Sequence, residues 1–200
     1  MSASYKTPVQ PRALATEQKF LDTVNLLMQD KSLGLLTIDE IAAKAGLTRS
    51  AFLKRFGTKN QALLVLYGRY CTEVEAAMAA VSDDIDSFAD AHEACFRVSV
   101  LAQELQTAHF SAIRAMHELF MENLNVHHQT HAIFLQCSDL MRQIQKVHVP
   151  TGTDMGAHAA AQLVFTITGN HVLKAMPGLP REEKDRHTLT AALVSRALLH

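Results

Sequence analysis

Residues 36–67 read LTIDEIAAKAGLTRSAFLKRFGTKNQALLVLY, and the punctuation of this stretch decides the fold. Thr37-Ile38-Asp39-Glu40 has the form of a capping box, in which a Thr hydroxyl and a Glu carboxylate three residues on cap each other's backbone amides. The helix it opens is short, over about 38–45, because Gly46 stands where a left-handed residue ends a helix. A second short helix is expected over about 48–56. Thr58-Lys59-Asn60-Gln61 then repeats the box and opens a long helix to about residue 81. Two short helices joined through a Gly-containing turn have the outline of a helix-turn-helix.

The side chains agree with that outline. Ile41, Ala42, Ala45, Leu47, Phe52 and Phe56 can close a miniature core, and the two alanines are small enough for the helices to cross closely. Arg49, Ser50, Lys54 and Arg55 then fall on the outer side of the second helix. In such a unit the second helix enters the major groove of duplex DNA, with its N-terminal residues at base edges. Arg49 has the fork that fits guanine O6 and N7, and Lys54 and Arg55 have the reach for bases or phosphates. The starts of the neighbouring helices, at Thr37 and at Thr58-Lys59, offer free amides with a hydroxyl or an ammonium, a combination that suits phosphate oxygens.

With those residues in place, the stretch 36–67 resembles the N-terminal DNA-binding domain of TetR-type transcriptional regulators. The landmarks are Thr37, Ile41-Ala42, Ala45-Gly46, Thr48 opening the second helix, Phe56 and Lys59. The likeness covers about residues 12–67. It implies a binding surface at Thr37, Thr48, Arg49, Ser50, Lys54, Arg55, Thr58 and Lys59. Three positions depart from the family pattern. Leu53 stands where the family usually has a Tyr whose hydroxyl meets a phosphate, Ser50 replaces a frequent Gly, and the usual Leu after Lys59 comes one place late, at Leu63.

Outward from this stretch, the chain reads as helix throughout. Residues 14–33 repeat apolar side chains at helical spacing, with Gly34 as the expected stop. Breaks fall at 82–83, near 107, at 123–125, at Pro150-Thr151-Gly152 and at 177–180. The expected fold is all-α with about nine helices: a DNA-binding domain over 12–67 and a helical effector-binding and dimerisation domain over 68–200. Eight Gly and five Pro in 200 residues are too few for an all-β fold of tight turns. Hydrophobic residues at 48% and charged residues at 20% exclude a disordered chain.

Charge is divided along the sequence. Residues 1–69 hold ten Lys and Arg against five Asp and Glu, whereas 70–200 hold nine against fifteen. A basic front and an acidic back point to two tasks, one of them facing a polyanion. Three Cys form no disulfide framework and fit a reducing cytosol. The opening MSASYKTPVQPR has no apolar stretch after its charges, so a secretory leader is not expected. The uncharged run 155–173 carries His158, Gln162, Asn170 and His171, which favours a buried protein–protein helix over a membrane span. The expected location is cytoplasmic, with no membrane partner and no cofactor.

A single helix-turn-helix reads too few base pairs for selective binding, and a homodimer on a palindromic operator doubles the readout. By the family resemblance, pairing falls to the last two long helices, 155–176 and 182–199. The first offers Gly156, Ala157, Ala159, Ala160, Ala161 and Gly169 for close backbones and Leu163, Val164, Phe165 and Ile167 for apolar area. The second adds Leu189, Leu193, Val194 and Leu198. The middle helices are then candidates for a small-molecule effector site, with Phe88, His92 and Phe96 on one, His109, Ile113, Met116, His117 and Phe120 on the next, and Phe134, Cys137 and Met141 on the third. His127 and His131, one turn apart, have the spacing of two metal ligands, but no local Cys, Asp or Glu completes a set. The resulting expectation is a regulator, a repressor released by its effector, and not an enzyme. The rivals are an all-helical enzyme using Cys or His, and a non-specific DNA-binding protein; no nucleophile motif, carboxylate pair or phosphate loop supports the first.

Overall fold

The helices that begin at residues 38, 49 and 59 each start behind a side-chain cap. The Thr37 hydroxyl accepts from the Glu40 N–H, that of Thr48 from Ala51 N–H and that of Thr58 from Gln61 N–H, each at 3.1 Å. Behind the first cap the box is complete: Lys31 pairs with the Glu40 carboxylate and the Thr37 N–H also reaches it, holding that carboxyl below its ordinary pKa. Gly46 at φ 65° and Gly57 at φ 73° then end the two short helices. Both sit in the left-handed region, where a side chain would be strained.

The structure, a computed structural model, describes residues 9–119, 123–172, 180 and 182–199, with backbone only at 171–172. Among them run α1 (Pro11–Leu27), α2 (Ile38–Lys44), α3 (Arg49–Phe56), α4 (Lys59–Asp83), α5 (Ala91–Ala108), α6 (Phe110–Leu119), α7 (Leu124–His148), α8 (Asp154–Val172) and α9 (Glu183–Leu198). Short 3₁₀ turns at Leu33–Leu35 and Ile85–Ser87 complete the set, and no strand occurs among the described residues. The all-α expectation holds, and α1 differs from its expected span. It ends at Leu27, earlier than the apolar spacing of 14–33 suggests, because residues 31–36 have partners distant in sequence. The Leu33 N–H donates to Glu118 at 3.0 Å, and the Lys59 ammonium donates to the carbonyls of Leu33 and Leu36. Those contacts compete with helical hydrogen bonds and win.

The chain divides into two compact units, Met1–Arg69 with His109–Val126, and Tyr70–Ala108 with His127–His200. In the first, α2 packs on α1 and α3, and α6 packs on α1. Its centre is a trio of rings: Phe20 meets Phe52 edge-on at 5.2 Å, and Phe52 lies 5.0 Å from Phe56. Beside them lies a charge cluster. Glu17, 2% exposed, accepts from Arg55 at 2.5 Å and from Arg69 at 3.0 Å, so one buried carboxylate ties α1 to α3 and α4. Residues on α6 fasten to the end of α1, with the Ser111 hydroxyl donating to Asn25 O and Arg114 to Met28 O, both at 2.9 Å.

In the second unit, α5, α8 and α9 pack on one another, and the core also takes side chains from the later part of α4 and from α7. Ala157, Ala160 and Ala161 are 0% exposed within it. The small residues expected to bring two subunits close therefore first let α8 approach its own neighbours. Outward on the same two helices stand Met155, Ala159 and Gln162, then Leu189 and Leu193. Residues 173–176 of the expected pairing segment, and Phe120 of the expected effector set, lie outside the described residues. Among the described residues no helix is long and apolar enough to cross a membrane.

Candidate nucleic-acid interface

Burial along α3 divides its two faces. Phe52 and Phe56 are inside, Ala51 and Arg55 are half-buried, and Arg49, Ser50, Leu53 and Lys54 are exposed. Thr37, Thr48 and Thr58, at the starts of α2, α3 and α4, are exposed too. Six of the eight residues proposed from sequence are thus open to solvent, and Leu53, with its apolar side chain 38% exposed, joins them.

Arg49 bonds Asp39 at 2.6 Å, with the two side chains 55% and 68% exposed. An ion pair so open to water is worth about 0–1 kcal/mol, so the guanidinium leaves it cheaply for a better anion. Arg55 and Lys59 are different. Arg55, its side chain 17% exposed, holds Glu17, and Lys59 donates to Leu33 O at 3.0 Å and to Leu36 O. The charge of both is engaged inside the unit, and their first task is to position α3 and the turn before α2.

A feature with no sequence signal lies alongside α3. Gln10, Arg12 and Thr16 at the start of α1, with Lys54 and Arg55, line an open cleft of about 300 Å³. Arg12 and Lys54 are both exposed there, presenting two cations across one concavity. Only the packing of α1 brings residue 12 beside residue 54.

The expected effector residues are divided between the units. His109, Ile113, Met116 and His117 belong to the first, where Ile113 is 3% exposed. The other six belong to the second. Phe96 stacks edge-on against His187 at 6.1 Å, Phe134 against His158 at 4.9 Å, and Met141 is wholly buried in the core. Exposed His92 lies 3.4 Å from the Ser195 hydroxyl, and Phe88 packs against the core. Among the described residues of the set, only Cys137 lines the second unit's cavity, whose other walls include Tyr70, Met78, Leu101, Gln106 and Phe165. His127 and His131 are exposed, and among the described residues no group of three or more His, Cys, Asp or Glu is placed to hold a metal ion.

No family model matches the sequence, and no curated protein matches it. Solved structures do match. A TetR-like transcriptional regulator from a Rhodococcus species superposes with a TM-score of 0.71 at 17% identity, over 95% of this chain and 98% of that one. The TetR family regulator PfmR of Thermus thermophilus gives 0.66 at 15% identity, over 88% and 97%. The fatty acid degradation regulator FadR of Bacillus halodurans gives 0.64 at 11%, over 96% and 97%. Set beside the capped α2–α3 turn and the helical second unit, these matches over nearly whole chains establish that this protein has the fold of the TetR-family transcriptional regulators.

Proposed function

We propose that the chain is a sequence-specific DNA-binding transcriptional regulator, a homodimeric repressor that leaves a palindromic operator when a small molecule binds its second unit. The observation that carries this reading is the outer face of α3. Arg49, Ser50, Leu53 and Lys54 stand clear of a helix whose other side is locked by three aromatic rings. A rigid helix with a polar, basic outer face fits the major groove. Thr37, Thr48 and Thr58, with Arg12 and Lys54 at the cleft, are the proposed phosphate contacts. The fold shared with known regulators supports the same reading.

Pairing through the outward sides of α8 and α9 follows from the need for two half-sites. Leu189 and Leu193, 37% and 40% exposed and one turn apart, supply apolar area there. Selection of bound duplexes from a random pool tests the whole reading. The expected product is an inverted repeat with half-site centres separated by about 34 Å or a multiple of it. Failure to enrich any sequence would overturn the proposal and favour non-specific binding.

Two substitutions separate base reading from phosphate contact. Arg49→Ala is expected to cost about 1–3 kcal/mol on the selected duplex and to relax preference at one position of each half-site. Lys54→Ala is expected to weaken selected and random duplexes alike and to reduce the salt slope by about one. Competition binding at two salt concentrations checks both.

An enzymatic reading using cysteine finds no support in the thiols of Cys95 and Cys137. Burial pushes Cys95 and Cys137 up to about 12, so both stay protonated and unreactive at neutral pH.

A further inference from the structure

The second unit contains a cavity of about 50 Å³. On α4 its lining runs from Tyr70 through Val74 and Met78 to Val81, and on α5 from Gln106 back to Val98. That is about 16 Å of helix rise along α4 and about 12 Å along α5, so the space is a long slot. Among the described residues no Asp, Glu, Lys, Arg or His lines it. An ionised ligand would enter without a countercharge and lose its hydration, which disfavours it strongly.

The polar groups gather at one end. Gln106 is 6% exposed, and among the described residues its Oε1 has no hydrogen-bond partner. A hydrogen bond links the same side chain to the Tyr70 phenol, which burial keeps protonated by raising its pKa. On another side Gly169 faces this oxygen: a Cβ there would lie 3.8 Å away, so no side chain covers it from that direction. A buried carbonyl oxygen without a donor is a standing penalty, and a ligand donor removes it.

We propose that this slot takes an uncharged, unbranched and largely apolar molecule whose terminal hydroxyl or amide N–H donates to Gln106 Oε1. The inference rests on the effector reading above and names the ligand's chemistry. Met78 and Leu140 line both the slot and an open groove of about 310 Å³ between α4 and α7. The flexible Met78 thioether is therefore the part of the wall that yields to admit a chain.

Calorimetric titration of the full chain with three probes of equal length tests the assignment: octan-1-ol, which donates, octan-2-one, which only accepts, and octanoate, which is charged. Octan-1-ol is expected to bind at least about tenfold more tightly than octan-2-one, and octanoate not to bind. Gln106→Leu, checked for folding by circular dichroism, is expected to bring alcohol and ketone to similar affinity. Ala102→Leu, which fills the slot, is expected to weaken both. Equal binding of ketone or octanoate by the wild-type chain overturns the proposal without recourse to any variant, and so does an alcohol preference that survives Gln106→Leu. Operator affinity measured with and without octan-1-ol keeps the two readings apart. Binding of the alcohol with no effect on the operator upholds the ligand class and overturns effector release. A selected palindrome with no alcohol binding does the reverse.

Discussion

Glu17→Ala is expected to destabilise the chain by about 3–5 kcal/mol, because it removes a buried carboxylate that pairs with the Arg55 guanidinium. The size follows from burial. Glu17 is 2% exposed and the Arg55 side chain 17%, so water does little to replace the lost partner. Arg69, with a side chain 38% exposed, loses less. Urea denaturation of the full chain measures the effect. The double variant Glu17→Leu, Arg55→Leu is expected to recover much of the loss, since an apolar pair of suitable volume often replaces a buried ion pair at little cost. A loss below about 1 kcal/mol for Glu17→Ala would mean that this pair behaves as a surface pair. The substitution also bears on function. Because Glu17 ties α1 to α3, its removal is expected to weaken operator binding at temperatures where the chain is still folded, although residue 17 is buried behind the proposed DNA face.

Gly152→Ala is expected to cost about 3 kcal/mol, at a place where no charge is involved. A Cβ at this position would lie 2.3 Å from Gln145 Nε2 and 2.5 Å from the Leu198 carbonyl oxygen. The Gln145 amide, buried at 4% exposure, donates to that same carbonyl at 2.8 Å and so closes the end of α9. An added methyl must displace backbone or break this hydrogen bond, and either leaves a buried polar group without its partner. Gly68→Ala is the control. Nothing lies within 4 Å of a Cβ there, and the position is inside α4, so the alanine is expected to stabilise by about 0.5–1 kcal/mol. Opposite signs for two Gly→Ala changes, read by thermal unfolding, separate steric cost from helix preference.

Much of the proposed interface was legible from local chemistry. Thr37 and Thr48 cap α2 and α3 as expected, Gly46 turns the chain between them, and Phe52 and Phe56 are buried as their spacing predicts. Such signals act over three or four residues, so a short window contains both partners. Breaks near 82, 107, 123 and 150 coincide with the end of α4, the end of α5, the start of α7 and the end of α7 for the same reason, while residues 177–179 of the expected break at 177–180 lie outside the described residues. What the pattern could not show was which outward cations are truly outward. Arg55 meets a carboxylate 38 positions away, and Lys59 meets carbonyls 26 and 23 positions away. Helical periodicity places a side chain on a face and is silent on what packs against that face. The effector residues show the same limit: apolar stripes on three helices looked like one wall, yet α6 belongs to a different unit from Phe96 and Phe134.

Sequence alone determined the all-helical class, the helix-turn-helix and the polar outer strip of its second helix, since capping, turn chemistry and 3.6-residue periodicity are local properties of the chain. Tertiary structure alone decided that Arg55 and Lys59 brace the unit, that Arg12 stands beside Lys54, and that Gln106, whose Oε1 meets no donor among the described residues, lines an apolar slot. Each of those depends on groups far apart along the chain being pressed together out of water, where a charge or a carbonyl must be met by a partner that no short stretch of sequence contains.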